Sequence, residues 1–265
     1  LAIVNNPKII VLKKLLLILL IAFGTITTQS QVLISLLLGD KLNSDDLEFG
    51  LEGGGNFSSI IGLETKKYVT DWNLGFYFDI KMKKSWFLYT GVLVKAKLGS
   101  GKLTDNDIKF LGIDTYLTDG DYYQKINYFL VPVLAKYKFK NRMYLEAGPQ
   151  FGLMYKAWAE YRYDDNGKDA IIKQFNKDMI NRIDAGIMGG FGYRFKGRTG
   201  WTIGFKYYYG LANVYKEKSG TKNNSLFLKV NIPIGAGEDA QRKREENAKK
   251  RAEKKALKEK TKSNK

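Results

Sequence analysis

The chain contains no cysteine and no histidine. Without cysteine there is no disulfide framework, no thiolate metal site and no thiol for a lipid anchor. Without histidine, the usual general base near neutral pH and the commonest zinc ligand are both missing. Proline is scarce, 4 in 265 residues, while glycine reaches 27 and aromatic residues 14%. That balance favours β-structure over helix. Long apolar runs are also lacking: Leu15 to Gly24 falls well short of the about 20 residues that a membrane helix needs.

The apolar run follows Lys8, Lys13 and Lys14 and precedes the small polar stretch TITTQS. A basic start, a short apolar core and small residues predict a secretory signal peptide over residues 1–30, cleaved before Gln31. Residues 31–45, which include the short run VLISLLL, are expected to form a linker.

What the sequence has in quantity is strict alternation. In the stretch from Arg182 to Val214, Ile203, Phe205, Tyr207 and Tyr209 fall on one face. Thr202, Gly204, Lys206 and Tyr208 fall on the other. Period two marks a strand between two different surroundings. The two alternating runs in this stretch, about 183–195 and 201–211, exceed the usual soluble strand and match the roughly 9–11 residues of a tilted membrane strand. Eight such segments are predicted, at about 47–57, 72–80, 86–98, 126–138, 143–155, 183–195, 201–211 and 224–234. A bulge is expected at Pro132, which has no backbone donor. The links alternate between short (KMKKS, FKNR, KGRT) and long (about 58–71, 99–125, 156–181 and 214–223). An even number of strands with short turns at one end and long loops at the other is the outer-membrane barrel pattern. The fold class expected is all-β: an eight-stranded antiparallel transmembrane β-barrel over residues 46–235.

A barrel of eight strands has no room for an aqueous channel, so side chains must fill it. The inward face is expected to carry Glu48, Glu52, Asp79, Glu146 and Asp184 against Lys95, Lys97, Lys136, Arg194, Lys206 and Lys229. Each buried charge needs a partner, so a structural charge network is the reading. Aromatic girdles are expected at both interfaces, from Trp72, Trp86, Tyr137, Tyr155, Tyr193, Trp201 and Tyr209. A soluble barrel with the large apolar face inward is the alternative, because alternation alone does not say which face is wet.

The elements FGLEGGGNFSSI, WNLGFYFDI, YFLVPVLAKYKF and YLEAGPQFGLMY, in that order, resemble the PorT-like family of small outer-membrane β-barrels. The resemblance spans about residues 46–235 and implies an OmpX-like architecture of eight strands. The chain departs from the usual barrel ending, in which an aromatic closes the last strand: here VNIPIG is followed by a charged tail.

The tail, residues 236–265, carries twelve basic and six acidic residues and almost no apolar ones, within a chain of net charge +17. It should be a solvated helix or disordered, lying in the periplasm. Its charge suits an anionic partner: peptidoglycan carboxylates or an acidic envelope protein. Calcium or lipopolysaccharide cations could meet Asp105, Asp107, Asp114, Asp119 and Asp121 in the second long loop, although solvated carboxylates are the plainer reading. Asn166-Gly167 reads as a turn. No nucleic-acid motif accompanies the positive charge.

The expectation is therefore a non-catalytic outer-membrane protein with a structural or interaction role and no cofactor or metal. Its wall should touch outer-membrane lipid, and its long loops should face outward. An accessory part in a transport or secretion machine is the alternative.

Overall fold

The computed structural model describes residues 47–116, 119–165, 167–195 and 200–234. The expected signal peptide, linker and tail, and the KGRT turn, lie outside these residues. The elements in chain order are β1 (Leu47–Ile61), β2 (Val69–Lys83), β3 (Trp86–Ser100), α1 (Asp105–Leu111), β4 (Gly120–Lys138), β5 (Met143–Asp165), β6 (Lys168–Phe175), β7 (Ile183–Arg194), β8 (Thr202–Gly210) and β9 (Lys222–Pro233).

Eight of the nine strands form an antiparallel ring. Its order runs β4, β3, β2, β1, β9, β8, β7, β5, and a β4–β5 ladder closes it. Closure leaves no unpaired edge around the wall, which a lipid surround demands. The ninth strand, β6, is a correction to the expected loop 156–181. It pairs with the far half of β5 alone, from Trp158↔Phe175 to Asp165↔Lys168, and extends the wall as a hairpin. Gly167 holds a positive φ of 80° at the tip, where its N–H donates to Asp164 Oδ1 at 2.6 Å. A glycine there avoids the strain that a Cβ would meet.

Pro132 does not make a bulge. The β3–β4 ladder passes from Leu93↔Leu130 to Thr90↔Val133, so the missing donor falls in a gap between paired rows. The bulges lie elsewhere. One sits at Val94, because Leu74 faces Lys95 while Gly75 faces Leu93. Another sits at Tyr155, because Asn127 faces Lys156 while Tyr128 faces Met154. Each extra residue flips the inward and outward phase beyond it.

The long-loop end is closed by packing. Helix α1 begins with a reciprocal cap: Thr104 accepts from Asp107 N, and Asp107 accepts from Thr104 N. It ends at Gly112 in the left-handed conformation. Buried Ile108 and Leu111 join Leu63, Leu103, Ile126, Val214 and Tyr215 in one apolar cluster. The Asp107 carboxylate also accepts from Glu64 N and Thr65 N at 2.8 and 2.9 Å, which ties α1 to the β1–β2 connection.

Candidate functional site

Alternation along each strand sends one set of side chains into the lumen and one set out. The inward set near the short-turn end is charged and paired. Glu48 accepts from Arg194 Nη1 and Nη2, at 2.7 and 2.8 Å, and from Tyr77 OH at 2.8 Å. Asp79 lies 3.0 Å from Lys136 Nζ and 2.7 Å from Lys138 Nζ. Lys206 and Tyr89 OH both donate to Glu52, and Lys229 donates to Glu146. Lys136 approaches Glu146 at 3.9 Å and so links the pairs into one network. Two aromatic rings are threaded through it. Lys136 and Lys229 sit 4.7 and 3.9 Å from the Tyr89 centroid, and Lys136 lies 4.2 Å from that of Tyr144. The Tyr144 ring presses on Gly192 and Gly204, where any Cβ would collide with it.

The structure thus brings Glu48, Glu52, Asp79, Lys136, Glu146, Arg194, Lys206 and Lys229 together. Asp184 stands apart from them, bonded to Tyr208 OH at 2.9 Å and Asn223 Nδ2 at 3.0 Å. Lys95 and Lys97 are corrections. The Val94 bulge turns Lys95 outward, where its Nζ lies 3.6 Å from the Trp72 ring centroid. Lys97 pairs instead with Asp71 at 3.2 Å. Lys138 and the tyrosines Tyr77, Tyr89 and Tyr144 join the network in addition to the expected residues. Even spacing from Lys136 and Glu146 was the signal that could have found Lys138 and Tyr144.

The outward set is apolar. Phe151, Ile187, Phe191, Phe205, Leu228 and Ile232 line the wall, and Ile187 is 58% exposed. Toward the short turns, Trp86 meets Tyr137 at 5.0 Å and Trp201 stacks on Phe195 at 5.1 Å, with Tyr193 beside Phe195. Toward the long loops, Trp72, Tyr155 and Tyr209 stand exposed, and Tyr155 stacks on Phe129 at 4.6 Å. Trp158, one step further, is buried.

A folded protein in water does not leave so many large rings and branched chains uncovered. Residues 29–216, well over half of the chain, match the family described as outer membrane protein beta-barrel domain. The chain belongs to this family. It is therefore an outer-membrane β-barrel protein of bacteria, and its exposed apolar wall contacts lipid. No helix among the described residues is long and apolar enough to cross a membrane.

Solved barrels resemble it at low identity. Ail, the attachment invasion locus protein of Yersinia pestis, is 13% identical, with 71% of this chain and 99% of Ail covered and a TM-score of 0.39. Neisserial surface protein A is 12% identical over 69% of this chain and 96% of its own, with a TM-score of 0.36. OprG of Pseudomonas aeruginosa is 11% identical over 71% and 93%, with a TM-score of 0.33. No curated protein matches the chain.

Beyond the apolar belt, on the outer face of the β5–β6 hairpin, Glu160 accepts from Trp158 Nε1 at 2.9 Å and from Arg162 Nε at 2.7 Å. Burial alone would raise its carboxyl pKa. The two hydrogen bonds and the Arg162 charge outweigh burial and hold it below the usual carboxylate range. Among the described residues, no cluster of three or more acidic side chains could hold a metal. In the second long loop, Asp107 serves as the α1 cap and Asp121 pairs with Lys102 at 2.9 Å.

Proposed function

We propose that this protein is a closed, non-catalytic barrel that anchors an interaction surface in the outer membrane. The observation that carries this reading is the filled lumen. The charges Lys136, Lys206, Lys229, Glu52, Asp79 and Glu146 are all at most 3% exposed and answer one another across the ring. Above them the apolar cluster around α1 covers the long-loop end. A wall of eight strands filled in this way supports a rigid post rather than a conduit. The absence of histidine and cysteine supports a role without cysteine- or histidine-based catalysis.

In this reading the loops joined to α1 and the β5–β6 hairpin face outward and the short turns face the periplasm. The basic tail beyond Ile234 then lies in the periplasm, within reach of anionic partners. The residues quoted for the PorT-like resemblance support placing the chain among those small barrels.

Planar bilayers containing the full chain test the reading. A filled lumen gives no discrete conductance steps and no swelling of sugar-loaded vesicles. Reproducible ion-selective steps would replace it with a channel.

A further inference from the structure

The cations nearest the apolar belt on the long-loop side gather on one part of the wall. Cross-strand register shows how. Lys97 faces Asn127, and Asn127 faces Lys156. In the next row Lys125 faces Trp158, and Trp158 faces Phe175. One row further, Glu160 faces Lys173. These positions are contiguous across β3, β4, β5 and β6.

The ammonium groups are held by rings. Lys156 Nζ lies 4.9 Å from the Phe175 centroid and 5.9 Å from that of Trp158, and Lys173 Nζ lies 5.4 Å from Trp158. A ring face orients a cation without neutralising it. The two carboxylates in the patch are already engaged: Asp71 is shared by Lys97 and Lys125, and Glu160 by Arg162 and Trp158. No ion pair to Lys95, Lys156 or Lys173 forms among the described residues. The patch therefore keeps a positive excess, and Tyr155 and Phe129 of the apolar belt stand immediately beside it.

We propose that Lys156 and Lys173, straddling Trp158, bind the phosphate of a phosphorylated lipid headgroup in the outer leaflet. The acyl chains would then lie down the wall over Phe129, Tyr155 and Leu153. Charge complementarity selects the headgroup, and the apolar surface directly below selects a lipid over a free phosphate. This site rests on the membrane placement and the outward orientation of the hairpin proposed above.

Native mass spectrometry of the full chain in micelles tests the site, with a phosphorylated glucosamine lipid and its dephosphorylated form as probes. Wild type should retain the phosphorylated lipid and not the other. The variant carrying Lys156→Gln and Lys173→Gln should retain it at least about tenfold less, because charges near an anionic lipid surface act together. A control with Lys83→Gln and Lys140→Gln, at the opposite rim, should match wild type. A second variant, Lys156→Met with Lys173→Met, repeats the reading if the first does not fold. Folding is followed by heat-modifiable migration, and insertion by flotation with vesicles. A wild type that does not float refutes the membrane placement itself. A folded, inserted wild type that holds both lipids equally, or a variant that holds them as wild type does, overturns this site alone.

Discussion

Lys206 and Glu52 are separated by 154 positions in sequence and bonded to each other in the lumen, both at most 1% exposed. Neither residue has water to fall back on. Removing one partner leaves the other charge buried and uncompensated, at a cost of about 3–5 kcal/mol. Lys206→Met should show that loss by urea unfolding in lipid vesicles. Adding Glu52→Leu should recover most of it, because an apolar pair of similar volume removes the desolvation demand as well. A double variant as unstable as the single one would mean that the bond to Tyr89 or the field of Lys229, rather than the ion pair, holds this part of the lumen.

Gly204 is fixed by contact, because the Tyr144 hydroxyl occupies the space a Cβ would take and the Phe191 carbonyl oxygen would lie within 2.8 Å of it. Gly189 has nothing within 4 Å of such an atom. Gly204→Ala should therefore cost about 1–3 kcal/mol by overpacking, whereas Gly189→Ala should stay within roughly 0.5 kcal/mol. The same unfolding assay checks both. Equal effects at the two glycines would show that backbone freedom, not the Tyr144 contact, selects them.

The eight-strand wall was legible because period two survives wherever one face meets lipid and the other a polar lumen. Phe205 against Lys206 is enough to set both phase and register. The alternation failed at Lys95 and Lys97, where the Val94 bulge inserts one residue and reverses the faces. A bulge leaves no residue-type signature in LVKAK, whereas Pro132 carries the signature and sits in regular register. The β6 strand was hidden because β5 and β6 leave the membrane, so their outer face mixes Ile171, Lys173 and Phe175. Helix α1 did carry a signal. Thr104 with Asp107, and Gly112 after Leu111, form a cap at each end of a short apolar run.

Glu160 offers a pH test outside the membrane span. Its folded carboxyl pKa is depressed, so its contribution is fully present above the ordinary carboxylate range and is lost as pH falls through the lower folded value. Protease cleavage within the β5–β6 hairpin should therefore quicken as the medium becomes strongly acidic. Glu160→Gln should cleave faster at neutral pH and show a flatter profile. Identical profiles for the two proteins would assign the acid sensitivity to other groups.

Orientation is tested with single cysteines, introduced without background because the chain has none of its own. Lys168→Cys, on the β5–β6 hairpin, should react with an impermeant maleimide on intact cells. Lys83→Cys and Lys140→Cys should react only after the outer membrane is opened, because the closed ring keeps its two ends on opposite sides. The reverse pattern would place the long loops in the periplasm.

The central claim is that the outward apolar face meets lipid, and a spin label reads that surround directly. Labels are placed singly at Phe151, Ile187 and Phe205, whose side chains stand exposed on three neighbouring strands of the wall. In vesicles, collision with oxygen, which concentrates in hydrocarbon, should exceed collision with a water-soluble nickel chelate at all three positions. Nickel accessibility above that of oxygen at these positions would mean that the face is wet and that the barrel does not span a membrane.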